Sequence, residues 1–147
     1  MNISNEIVML LPIAMKVLVS TICGAIVGYE RELKNKSAGL RTIILICVGS
    51  CLFTVASFAA AQYTGDPTRI LSTIVTGIGF LGGGVIVQHE DKLIGITTAA
   101  FIWVVSAIGI LCGLGLVITP ILLTLGLVTM STVLAKYERK IRKDDRD

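Results

Sequence analysis

From Ile70 to Val87 the chain runs ILSTIVTGIGFLGGGVIV, 18 residues without a charge, of which five are glycine. At 1.5 Å per helical residue such a run reaches about 27 Å, close to the roughly 30 Å hydrocarbon core of a bilayer. Each glycine costs about 1 kcal/mol relative to Ala in a helix interior. A span that keeps Gly77, Gly79, Gly82, Gly83 and Gly84 is expected to use the missing side chains. Their use is either close backbone contact with a neighbouring helix or a break that lines a cavity.

The rest of the chain sets the same solvent. Mean hydropathy is +0.85, and 54% of residues are hydrophobic against 16% charged, which excludes an ordinary soluble domain. Apolar runs fall at 7–28, 43–64, 70–87, 94–117 and 118–135. They predict an all-α polytopic membrane bundle of about five transmembrane helices, one domain over 1–147 with a charged tail at 136–147. A tight turn is expected near Thr119-Pro120, because proline removes a donor and restricts its predecessor. The first run does not read as a cleaved signal, since no basic segment precedes it and Lys16 lies inside it. A lipoprotein reading of Cys23 fails because Ile22 stands where a small residue is needed.

Charge sets the expected orientation. With the N-terminus outside and the C-terminus cytoplasmic, Arg31, Lys34, Lys36, Arg41, Lys92 and the six basic residues of the tail all face the cytoplasm. That is eleven of thirteen, leaving Arg69 outside and Lys16 within the first span. A four-span arrangement would strand either the 31–41 loop or the tail on the wrong face. The tail, KYERKIRKDDRD, reads as a stop-transfer anchor beside anionic lipid, or as a docking segment for a cytoplasmic partner.

Gly24 and Gly28, Gly79 and Gly83, and Gly109 and Gly113 are i, i+4 pairs, as are Ala56 and Ala60. Four small-residue faces in one short chain argue for tight packing and for a homo-oligomer. Gly77-x-Gly79-x-x-Gly82 matches the dinucleotide fingerprint, but it sits inside a span, without the strand that motif needs.

Charged residues near the spans are the candidate sites. Tyr29-Glu30-Arg31-Glu32 closes the first span and Ser37-Ala38-Gly39-Leu40-Arg41-Thr42 opens the second. Pairing of Glu30 with Arg41, and of Arg31 with a carbonyl, would close that turn; ordinary interfacial charge is the plainer reading. Asp66-Pro67-Thr68-Arg69 has the form of a helix start, with Asp as cap and Pro in the first turn; the alternative places Asp66 and Arg69 in an outward vestibule. Lys16 lies roughly 9 Å inside the outer interface, within snorkelling reach of Asp66. Cys23, Cys47, Cys51 and Cys112 read as small hydrophobes, since the only His is His89 in a loop. No nucleophile–base set or paired carboxylate is visible, so neither enzyme chemistry nor a cofactor is expected.

The succession GxxxGYERE (24–32), KSAGLRT (36–42), DPTRI (66–70), VTGIGFLGGGVI (75–86) and GITTAAFIWVVSAIGILCGLG (95–115) resembles the membrane domain of the MgtC/SapB family. The resemblance covers about residues 10–130. It implies a multi-pass protein of the bacterial cytoplasmic (inner) membrane linked to magnesium limitation, acid or host stress. It implies regulation of membrane partners, such as the F-type ATP synthase, rather than carriage of magnesium. The family's charged positions carry over onto Glu30, Arg31, Arg41, Asp66 and Arg69, and its glycine motif onto Gly77, Gly79, Phe80, Gly82 and Gly84. Many relatives add a soluble C-terminal domain beyond the point where these 147 residues stop.

Two functions are therefore expected. One is a non-enzymatic regulator that packs against partners in the bilayer, with no nucleic acid among them. The other is a transporter or channel subunit for Mg²⁺ or another small solute, suggested by a glycine-broken third span and by Thr73, Thr76, Thr97 and Thr98.

Overall fold

A computed structural model describes residues 3–90 and 92–144. The order is α1 (Ile3–Leu33), α2 (Leu40–Thr64), α3 (Thr68–Val85), β1 (Val87–His89), β2 (Lys92–Ile94), α4 (Ile96–Gly113) and α5 (Ile118–Asp144). All five helices contain a stretch long and apolar enough to cross a membrane, so the fold is the expected all-α bundle. In hydrocarbon every backbone polar group must bond within its own segment, which is why such runs become helices.

Three connections depend on a glycine in left-handed backbone. Gly65 (φ 74) ends α2, its N–H bonded to the Ala61 carbonyl at 2.7 Å. After α4, Gly115 (φ 91) donates to the Cys112 carbonyl at 2.9 Å, and Leu116 donates to Leu111 at 3.2 Å. Those two bonds form a Schellman motif. The turn between the last two spans therefore sits at Gly115, not at Thr119-Pro120. Pro120 instead lies in the first turn of α5, where its missing N–H removes no helical bond. Gly95 (φ 98) lets α4 start beside the Val85 carbonyl, which any Cβ there would strike.

The segment between α3 and α4 forms an antiparallel hairpin that was not anticipated, pairing Val87 with Ile94, Gln88 with Leu93 and His89 with Lys92. Glu90 turns it with φ 52. Val87 and Ile94, the end residues of the apolar runs 70–87 and 94–117, belong to this hairpin rather than to the spans.

The core is the contact of α2 with α1 on one side and α4 on the other. A Cβ at Gly24 would stand 3.0 Å from the Ile44 Cα, and one at Gly28 would stand 2.9 Å from the Leu40 Cα. On α4, Gly109 faces the Cys47 carbonyl and Gly113 the Cys51 carbonyl, 2.7 Å from where a Cβ would sit. The four cysteines, all free and buried, belong to the same core. Half of the α4 span is buried, against 17% for α3 and for α5. Those two helices are peripheral.

The expectation for α3 is corrected in two respects. It is a continuous helix from Thr68 to Val85, not a broken one, because a span in lipid keeps its own hydrogen bonds even where glycine lowers its propensity. Its glycines also do not serve contacts within the chain. A Cβ at Gly77, Gly79, Gly83 or Gly84 would meet nothing within 4 Å, and only Gly82 packs, 3.6 Å from Ala99.

Candidate functional site

The last turn of α1 carries the buried charges. Glu30 and Arg31 are neighbours on a helix, so their side chains diverge by about 100°. Arg31, 1% exposed, turns towards α4. Its Nη2 donates to Thr98 Oγ1 at 2.8 Å, and its guanidinium lies 4.3 Å from the centre of the Phe101 ring. Glu30 turns towards α5, where Oε1 accepts from Ser131 Oγ at 2.9 Å and pairs with Lys34. Lys34 Nζ also lies 3.4 Å from Ser131 Oγ.

This arrangement replaces the anticipated pairs. Glu30 pairs with Lys34, one turn along its own helix, and not with Arg41, which is exposed and makes no contact with it. Arg31 bonds a hydroxyl rather than a carbonyl. A charge near the membrane is costly unless it is held by a partner. The hydroxyl and the ring face supply that hold, a cation–π contact contributing about 0.5–2 kcal/mol. Within this cluster two buried atoms, Arg31 Nε and Glu30 Oε2, have no hydrogen-bond partner among the described residues. Among the described residues, no group of three His, Cys, Asp or Glu could hold a metal ion.

Glu32 and Gly39 went unrecognised. The Glu32 carboxylate accepts from the Leu40 N–H at 2.9 Å, placing negative charge on the N-terminus of α2. Gly39 is what allows it, since a Cβ there would run into that carboxylate. Lys34, Phe101 and Ser131 are likewise absent from the expected site, and Thr98 enters there only as one of the hydroxyls that suggest transport. Position in sequence could not show that α4 and α5 close on the end of α1.

The remaining candidates lie apart from this cluster. Asp66 is exposed and accepts from the Thr68 N–H at 2.8 Å and the Thr68 hydroxyl at 2.6 Å. These bonds, first the hydroxyl and then the amide, hold its carboxyl below the usual carboxylate range, with a smaller contribution from Arg69. Pro67 is already helical at φ −75 and ψ −12, so Asp66 has the geometry of a cap. Arg69 is exposed. Lys16 does not reach Asp66; its Cε lies 3.5 Å from where a Cβ on Gly115 would sit, beside the α4–α5 turn. Ala56 is exposed rather than packed.

The chain is similar to known proteins over most of its length. A model of the MgtC family matches residues 17–140. The "Putative magnesium transporter YhiD" of Escherichia coli (strain K12) is 46% identical over 107 residues, covering 68% of this chain and 49% of that protein. Protein SapB of Bacillus subtilis (strain 168) is 40% identical over 111 residues, 70% of this chain and 48% of that one. Protein MgtC of Brucella abortus (strain 2308) is 38% identical over 115 residues, with 77% and 47% covered. The chain spans about half the length of these relatives. No solved structure matches it significantly. With the match running from the middle of α1 to the far end of α5, and five helices able to span a bilayer, this chain belongs to the MgtC family of multi-pass bacterial membrane proteins.

Proposed function

We propose that this protein is a non-enzymatic regulator that acts on other membrane proteins by helix contact inside the bilayer, in adaptation to magnesium limitation or stress. The observation that carries this reading is the outer face of α3. Ser72, Thr76, Gly79 and Gly83 follow at steps of four, three and four residues, share one side of the helix, and are all exposed. Phe80 beside them is 83% exposed. Apolar exposure alone drives nothing in lipid; small residues do, because they let two backbones approach closely. Such a face suits a second copy of this chain or a partner span, the F-type ATP synthase being one candidate.

The test is complementation of a deletion strain in low magnesium. Gly79→Leu and Gly83→Leu, at positions where an added Cβ meets nothing within 4 Å, should reach the membrane at normal level yet fail to restore growth. Val133→Leu on α5, also exposed, should restore it. Full complementation by all three would refute the reading.

One observation favours a second reading, a transporter or channel subunit. Glu30 Oε2 is buried without a partner, and the name printed for the Escherichia coli relative speaks of magnesium transport. Magnesium flux into proteoliposomes that is lost in Glu30→Gln would establish it over the regulator.

A further inference from the structure

On a different side of α3 the surface opens into a groove against α2, with a volume of about 660 Å³. Its floor is apolar and buried, formed by Ile46, Ile74, Ile78 and Ile102. The room comes from Gly49 on α2 and Gly77 on α3, which both line it and where a Cβ would meet nothing within 4 Å. These two glycines therefore leave space that the chain itself does not fill.

The dimensions select the occupant. On α2 the groove runs from Thr42 to Phe53, about 17 Å along the helix, which matches one leaflet of a hydrocarbon core roughly 30 Å thick. A single extended acyl chain is narrow enough. The polar end of the groove selects the headgroup. Thr42 lines the groove at the end nearest the start of α2, and Arg41 precedes it, exposed and without a hydrogen bond or ion pair among the described residues. A guanidinium binds phosphate oxygens in a bidentate manner. The leaflet on this side is the cytoplasmic one by the positive-inside rule, and that leaflet carries the anionic lipids.

We propose that the α2–α3 groove is a binding site for one anionic phospholipid of that leaflet, an acyl chain lying between Gly49 and Gly77 and the phosphate on Arg41. The site is independent of the outer α3 face, because Gly77 and Gly79 point to different sides of the helix. Occupied, it would brace α3, the peripheral helix that otherwise packs mainly on α4, with Gly82 against Ala99.

Native mass spectrometry of the purified chain, taken from mixed micelles of phosphatidylglycerol and phosphatidylcholine in equal amounts, tests this. The wild type should retain one phosphatidylglycerol per chain. Arg41→Gln should lower the preference for phosphatidylglycerol about tenfold, and Gly49→Leu and Gly77→Leu should abolish retention of both lipids. A second measurement guards against loss of bound lipid on release. Phe53→Trp in a Trp103→Phe background should be quenched more by brominated phosphatidylglycerol than by brominated phosphatidylcholine, with the difference erased by Arg41→Gln. Equal retention and equal quenching in wild type and all variants would overturn the site. So would a loss of oligomer in Gly77→Leu with lipid retention unchanged, which would give the groove to a second copy.

Discussion

Replacing Gly109 by Ala should destabilise the bundle, whereas the same change at Gly79 should not. Both glycines lie in helices of similar length, α4 and α3, and both changes gain the same helix propensity, up to about 1 kcal/mol. That gain cancels when the two variants are compared. What remains is the contact. At Gly109 the new Cβ would collide with the Cys47 carbonyl and stand 2.9 Å from the Ser50 Cβ. Neither obstacle is the free end of a flexible side chain, so α4 must back away from α2. Overpacking of this kind costs about 1–3 kcal/mol, and a backbone obstacle places Gly109 towards the upper part of that range. At Gly79 the Cβ meets nothing. Unfolding in dodecyl sulfate–maltoside mixtures, followed by circular dichroism, should therefore separate Gly109→Ala from Gly79→Ala by about 1–3 kcal/mol, or roughly 5- to 150-fold in the unfolding constant. Equal stability of the two variants would refute the steric account of the α2–α4 contact.

Thr98→Val should leave the Arg31 guanidinium with the Phe101 ring alone and cost about 1–3 kcal/mol, the range for an unsatisfied buried donor, read by the same unfolding assay. Reporter fusions after Lys36, His89 and Asp147 should report the cytoplasm and one at Gly65 the exterior; a cytoplasmic signal at Gly65 would remove the five-span topology. Asp66→Asn should keep normal yield and Asp66→Ala should lose yield, since Asn caps as well as Asp and Ala does not. Because folding lowers the Asp66 pKa, the stability its charge contributes is present at neutral pH. It is lost as pH falls through that lowered value, so the wild type should lose this advantage over Asp66→Asn only in strong acid.

What the sequence determined by itself was the solvent and the number of spans. Apolar runs of 18 or more residues with at most one charge have one stable form in hydrocarbon, the helix, and Asp66-Pro67 signals its own helix start within four residues. Gly24, Gly28, Gly109 and Gly113 were also legible as packing positions, because an i, i+4 pair always shares a face. Tertiary structure alone decided which faces meet. The pairs in α1 and α4 close on α2, while the equally regular pair in α3, Gly79 and Gly83, faces outward. It also decided that Glu30 meets Ser131, 101 residues away, and that Arg31 meets Thr98, 67 residues away, together with the Phe101 ring. Helical periodicity is a local property and can place a side chain on its own helix. The neighbour it meets depends on how five similar cylinders pack, and that depends on the fit of all their surfaces at once.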